Sequence, residues 1–90
     1  MPKNDISWKR RTPDGGRVEV YAHPVGAAWN FYTRGRRFED WQPMPRPPLE
    51  DWLALLDGVE RLVARDRIPE SEAGRLRQII HEQFPDAELP

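Results

Sequence analysis

Glu19 and His23 stand four residues apart in Arg17-Val18-Glu19-Val20-Tyr21-Ala22-His23, a stretch that alternates strictly between two sets of side chains. Period-two alternation puts Arg17, Glu19, Tyr21 and His23 on one face of a strand, with Val18, Val20 and Ala22 on the other. A carboxylate, an imidazole and a guanidinium on one face are the parts of an acid–base site working on a phosphate ester. They are also what a solvated strand face ordinarily carries, and the rest of the chain adds nothing to the catalytic reading. His81, the other histidine, belongs to a different element. Ser7 and Ser71 are the only serines, and no phosphate-binding loop or dinucleotide fingerprint is present. With no cysteine, the chain has no thiolate nucleophile, no disulfide and no cysteine-held zinc. The expectation is a non-enzymatic protein with no metal and no cofactor.

The second chemistry open to these residues is association. Residues 1–47 carry nine Lys/Arg, five Asp/Glu and seven of the nine aromatics. Residues 48–90 carry five Arg and ten Asp/Glu, with only Trp52 and Phe84 as aromatics. The basic half is therefore also the aromatic half. Lys9, Arg10, Arg11, Arg17, Arg34, Arg36 and Arg37 stand among Trp8, Tyr21, Tyr32 and Trp41. Trp, Tyr and Arg are the residue types that dominate protein interfaces. Cations beside flat rings also hold single-stranded nucleic acid, through phosphates and stacked bases. The sequence pI of about 6.1 is low for a nucleic-acid module, and no RNA-recognition motif accompanies the rings. The expected contact residues are Trp8, Tyr21, Tyr32, Arg34, Arg36, Arg37 and Trp41. The expected partner is a protein, another copy or a different chain, with RNA or single-stranded DNA as the alternative. Glu50, Asp51, Asp57, Glu70 and Glu72 offer an acidic helical surface that a second copy's basic sheet would complement.

Positioning these residues requires a sheet. Ser7 to Arg11 reads as a first strand and Arg17 to His23 as a second. Between them, Thr12-Pro13-Asp14-Gly15-Gly16 is a turn, with proline presetting φ and glycine supplying positive φ. Pro24-Val25-Gly26 turns the chain again. Ala27 to Thr33 is a third strand, with Trp29 and Phe31 on one face. Arg34-Gly35 reads as a tight hairpin turn into a fourth strand, Arg36 to Trp41. Phe38 and Trp41 differ in parity there, so this strand bulges or ends between them. Pro43 to Pro48 is a stiff spacer.

The helices are plainer. Leu49, Trp52, Leu53, Leu55, Leu56, Val59, Leu62 and Val63 form a broad apolar stripe from Leu49 to Arg65. Pro48 suits the helix start, and Glu50 and Asp51 suit its positive end. Pro69 opens a second helix striped with Ala73, Leu76 and Ile80, and Pro85 stops it near Phe84. The short connection at Asp66-Arg67-Ile68 makes the pair an antiparallel hairpin.

The fold class expected is α+β, in the order ββββαα: an antiparallel meander of three to four strands covered on one face by the helical hairpin. One domain of 90 residues is expected. It comprises a frayed start (1–6), the meander (7–42), the spacer (43–48), the hairpin (49–84) and a loose tail (85–90). Val18, Val20, Trp29, Phe31, Trp52, Leu53, Leu56, Val59, Leu76 and Ile80 are the expected core. Trp8 and Trp41, at the sheet margins, are expected to be the most exposed tryptophans. No apolar leader and no membrane-length apolar run are present, and the absence of cysteine fits a reducing compartment, so a cytoplasmic protein without membrane contact is expected.

Overall fold

The computed structural model describes residues 5–35 and 39–90. The chain is α+β. Four antiparallel strands form one sheet in the order β1-β2-β3-β4, and two helices follow. It divides into two compact units, Met1–Pro47 and Pro48–Pro90.

In the first unit, β1 (Ile6–Arg11), β2 (Arg17–Val25) and β3 (Ala28–Arg34) form the meander. The first turn is built as its residue types require. Gly15 takes φ +90. The Thr12 N–H donates to the Gly16 carbonyl at 2.9 Å, and the Gly15 N–H to the Thr12 carbonyl at 2.9 Å. Asp14 accepts from the Thr12 hydroxyl and from the Gly16 N–H. These bonds hold the Asp14 carboxyl below its ordinary range, the Thr12 bond contributing most.

Three sequence expectations need correction here. Pro24 does not turn the chain; β2 runs on to Val25, and Pro24 lies opposite Trp29. Odd-numbered residues of β2 exchange their backbone bonds with β3, as the closing Val25–Ala28 pair shows. Pro24 therefore withholds no donor from that ladder. The turn is Gly26-Ala27, with φ +59 at Gly26, the arrangement favoured where glycine fills the first central position. Second, Gly35 has no positive φ and opens no two-residue hairpin. Third, the fourth strand is β4, Gln42–Pro43, which pairs with Thr33 and Tyr32. Residues 39–41 form no strand, and the expectation for Arg36, Arg37 and Phe38 lies outside the described residues. The Met44 N–H extends the edge by donating to the Phe31 carbonyl at 2.8 Å. Part of the expected spacer is thus sheet edge, where proline is tolerated.

Of the start expected to fray, residues 1–4 lie outside the described residues, and only Asp5 and Ile6 need correcting. Ile6 is already strand, and the Asp5 side chain is only 3% exposed, hydrogen-bonded to His23.

In the second unit, α1 spans Leu49–Ala64 and α2 spans Glu70–Gln83. Pro48 and Pro69 are the N-caps, and Phe84 is the C-cap of α2. Trp52, Leu55, Leu56, Val59, Ala73, Leu76 and Ile80 are buried. Leu53 and, in the sheet, Val18 and Trp29 are half-buried instead. Asp51 is fully buried and so is not part of an acidic surface. Glu60 and Arg77 join the helices through an ion pair at 3.2 Å. The connection is a Schellman closure: the Arg67 N–H donates to the Leu62 carbonyl and the Asp66 N–H to that of Val63. It places Asp66 at φ 57, a position glycine usually fills. No described helix is long and apolar enough to cross a membrane.

Candidate binding surface

The strand registers sort the predicted contact residues by face. Trp8 pairs with Val20, and the Trp8 ring meets Phe31 edge-on, with centroids 6.0 Å apart. Val20, Ala22 and Phe31 are buried on this face. Trp8 therefore belongs to the Val20 face and stands apart from the other predicted contacts. It is half-buried, as are Trp29 and Trp41, while Trp52 is buried.

The opposite face, that of Tyr21, brings the others together. Its rows run across the strands: Ser7, Tyr21 and Tyr32; then Lys9, Glu19 and Arg34; then Arg11 and Arg17 beside the first turn. Tyr21 and Tyr32 stack with centroids 4.8 Å apart at 16°. Trp41, just before β4, meets Tyr21 edge-on at 4.7 Å and 86°. The Arg34 guanidinium lies 4.3 Å from the centre of the Trp41 ring. Glu19 holds Arg34 from the other side through Nη2–Oε2 at 3.4 Å, matching the cross-strand ion pairing that the alternation of charges implies. Arg34 is 20% exposed at its side chain, and its Nε is buried without a hydrogen bond. Arg36 and Arg37, the remaining predicted contacts, lie outside the described residues.

The electrostatics follow from this crowding. Burial pushes the Tyr21 phenol above the ordinary tyrosine range, and the neighbouring Tyr32 and Asp5 add to the shift. All three rings of the cluster are half-buried. Each is in contact with another ring of the cluster, so the three form one connected relief on this face.

Glu19 and His23 share this face, but as a catalytic pair they are poorly placed. Four residues along a strand separate them by about 13 Å. Each also has a partner already, Arg34 for Glu19 and Asp5 for His23. Among the described residues no group of three His, Cys, Asp or Glu is placed to hold a metal ion.

Sequence reasoning missed Asp5. Its signal was the register itself: pairing Arg11 with Arg17 across the turn carries Asp5 opposite His23. It also missed that Trp41 reaches past β3 to a ring on β2, for which a linear sequence holds no signal.

No family model matches this chain, and neither a curated protein nor a solved structure shows significant similarity to it.

Proposed function

We propose that this chain is a non-enzymatic, cytoplasmic interaction domain that binds a protein, another copy or a different chain, through the Tyr21 face of its sheet. The observation that carries the reading is the assembly of Tyr21, Tyr32, Trp41 and Arg34. These are the residue types of interface hot spots, and they are held in one geometry before any partner arrives. Preorganisation lowers the entropy lost on binding, because the side chains need not be ordered by the partner.

A second reading, single-stranded RNA or DNA on the same face, draws support from the cations of the adjoining rows. It is weakened by the low sequence pI of about 6.1 and by the stack and the Arg34 contact, each of which already takes one ring face. Salt separates the two. Phosphate binding falls steeply between about 50 and 200 mM salt through counterion release, whereas an aromatic-anchored protein contact changes far less.

The test uses the wild-type chain and a Tyr32→Ala/Trp41→Ala variant as immobilised baits for the soluble proteins of the source cell. Sedimentation of each pure chain over a concentration series accompanies it. The reading expects self-association, or a retained protein, that the double variant loses while remaining folded. Association that is indifferent to both rings contradicts it.

A further inference from the structure

Strand β1 ends the sheet on one side, and among the described residues no strand lies beyond it. Its backbone bonds divide by parity. The Thr12 N–H donates to the Gly16 carbonyl, so Thr12 and Gly16 are a bonded pair and the ladder continues at every second residue. Ile6, Trp8 and Arg10 therefore bond to β2. Ser7, Lys9 and Arg11 turn their N–H and carbonyl groups to the open edge, and these residues are exposed. An open edge of this kind is a template for one more strand.

Charge along β1 selects that strand. Asp5 precedes it, Ile6, Ser7 and Trp8 are uncharged, and Lys9, Arg10 and Arg11 close it. A second β1 laid parallel in register stacks cation on cation, whereas one laid antiparallel sets the cationic end against the Asp5 end. Edge bonding also requires odd residues to meet odd ones. A register centred on Lys9 puts like charges directly opposite, which is unfavourable. One centred on Ser7 carries Arg10 and Arg11 past Asp5 and shortens the overlap. Centred on Trp8, the register uses the whole strand: Lys9 meets Ser7, Arg10 meets Ile6, and Arg11 shares a row with Asp5. Arg11, whose neighbour within the chain is Arg17, thereby gains an acidic row-mate. Trp8 meets Trp8 in a non-bonded pair, where cross-strand side chains approach most closely. Lysine on an edge strand discourages pairing when it meets another cation, and in this register it meets serine.

We infer that β1 pairs antiparallel with β1 of a second copy, centred on Trp8, as an isologous contact that joins two sheets into one. Odd-numbered side chains keep to one side, so the Tyr21 faces of both copies lie on the same side of the joined sheet. The contact is separate from recognition by the Tyr21 face, and it gives a role to Trp8, which strand parity sets apart from the other predicted contacts.

The test is sedimentation equilibrium of the full chain up to about 1 mM, the weak end of specific association, with circular dichroism to confirm folding. Wild type is expected to dimerise. Lys9→Pro removes an outward N–H that β2 does not use, so it is expected to stay folded and to weaken the dimer by about tenfold or more. Arg11→Glu keeps the test independent of proline. It gives Arg17 an opposite charge within the chain but sets like charge in the row of Asp5 of the second copy, so it is expected to fold and to dimerise less. The register is read by cross-linking, since the chain has no cysteine of its own. Opposed residues of a bonded pair lie about 5.5 Å apart at Cα, within reach of a disulfide. A mixture of Ser7→Cys and Lys9→Cys chains is expected to link faster under oxidation than either chain alone. A monomeric wild type, a dimer unmoved by Lys9→Pro and Arg11→Glu, or single-variant chains that link as fast as the mixture overturns the contact. A dimer lost in Tyr32→Ala/Trp41→Ala and kept in Lys9→Pro belongs to the Tyr21 face and overturns the edge pairing. The reverse dependence supports the edge pairing, and the Tyr21 face then stands or falls on the protein it retains.

Discussion

The two faces of the sheet are built from alternate residues of the same strands, yet they solve different problems. On one face Val20, Ala22 and Phe31 are buried, and Trp8 lies edge-on against Phe31. Its side chains gain by leaving water, and geometry matters mainly for close packing. On the other face Tyr21, Tyr32, Trp41 and Arg34 stay half-buried and interact through ring edges, ring faces and a cation. Here the gain per residue is small and directional. The difference shows how one strand, β2, buries its even positions and builds a directional cluster with its odd ones.

If the faces differ in this way, truncation should separate them. The largest loss is expected at Phe31→Ala, about 3–5 kcal/mol, because the site is buried and leaves a cavity. Urea unfolding measures it, and a loss under about 1 kcal/mol would show that the Val20 face is not the packed one. Leu56→Ala, in the helical unit, is expected to cost about 2–5 kcal/mol by the same mechanism. Trp41→Ala should cost less, about 1–2 kcal/mol, from one ring contact and one cation–ring contact. A double-mutant cycle on Tyr21 and Tyr32 is expected to return a coupling of about 0.5–1.5 kcal/mol, and a value near zero would mean that the stack contributes nothing.

The gentlest probe is pH. Burial first, then Tyr32 and Asp5, raises the folded-state pKa of Tyr21 above its unfolded value. The native state then holds its proton longer than the unfolded state. Stability is intact below the ordinary tyrosine range and falls as pH rises through it toward the raised value. Phenolate absorbance should show a late-ionising tyrosine in wild type, moved to lower pH in Tyr32→Phe. An unmoved titration would mean that Tyr32 does not act on Tyr21.

Much of this arrangement was legible in the sequence where one local rule governed. Strict alternation fixed the faces of β2, Pro13 to Gly16 fixed the first turn, and the apolar stripe from Leu49 fixed α1. Legibility failed where tertiary context competed with local chemistry. Pro24 reads as a breaker but is tolerated because its missing donor lies off the β3 ladder. Pro43 reads as spacer but sits on an edge strand. Asp66 closes α1 in a conformation that sequence rules assign to glycine. Of the predicted contacts, Tyr21, Tyr32, Arg34 and Trp41 converge because the β2–β3 register and the reach of Trp41 bring them together. Trp8 was grouped with them by composition, and strand parity separates it.

The measurement that tests the account most directly pairs folding with retention for Tyr32→Ala/Trp41→Ala against wild type. Far-ultraviolet circular dichroism establishes the fold, and sedimentation with bait capture establishes association. The account predicts a folded variant that has lost self-association or its retained protein. A folded variant that associates as the wild type does would contradict the assignment of recognition to the Tyr21 face.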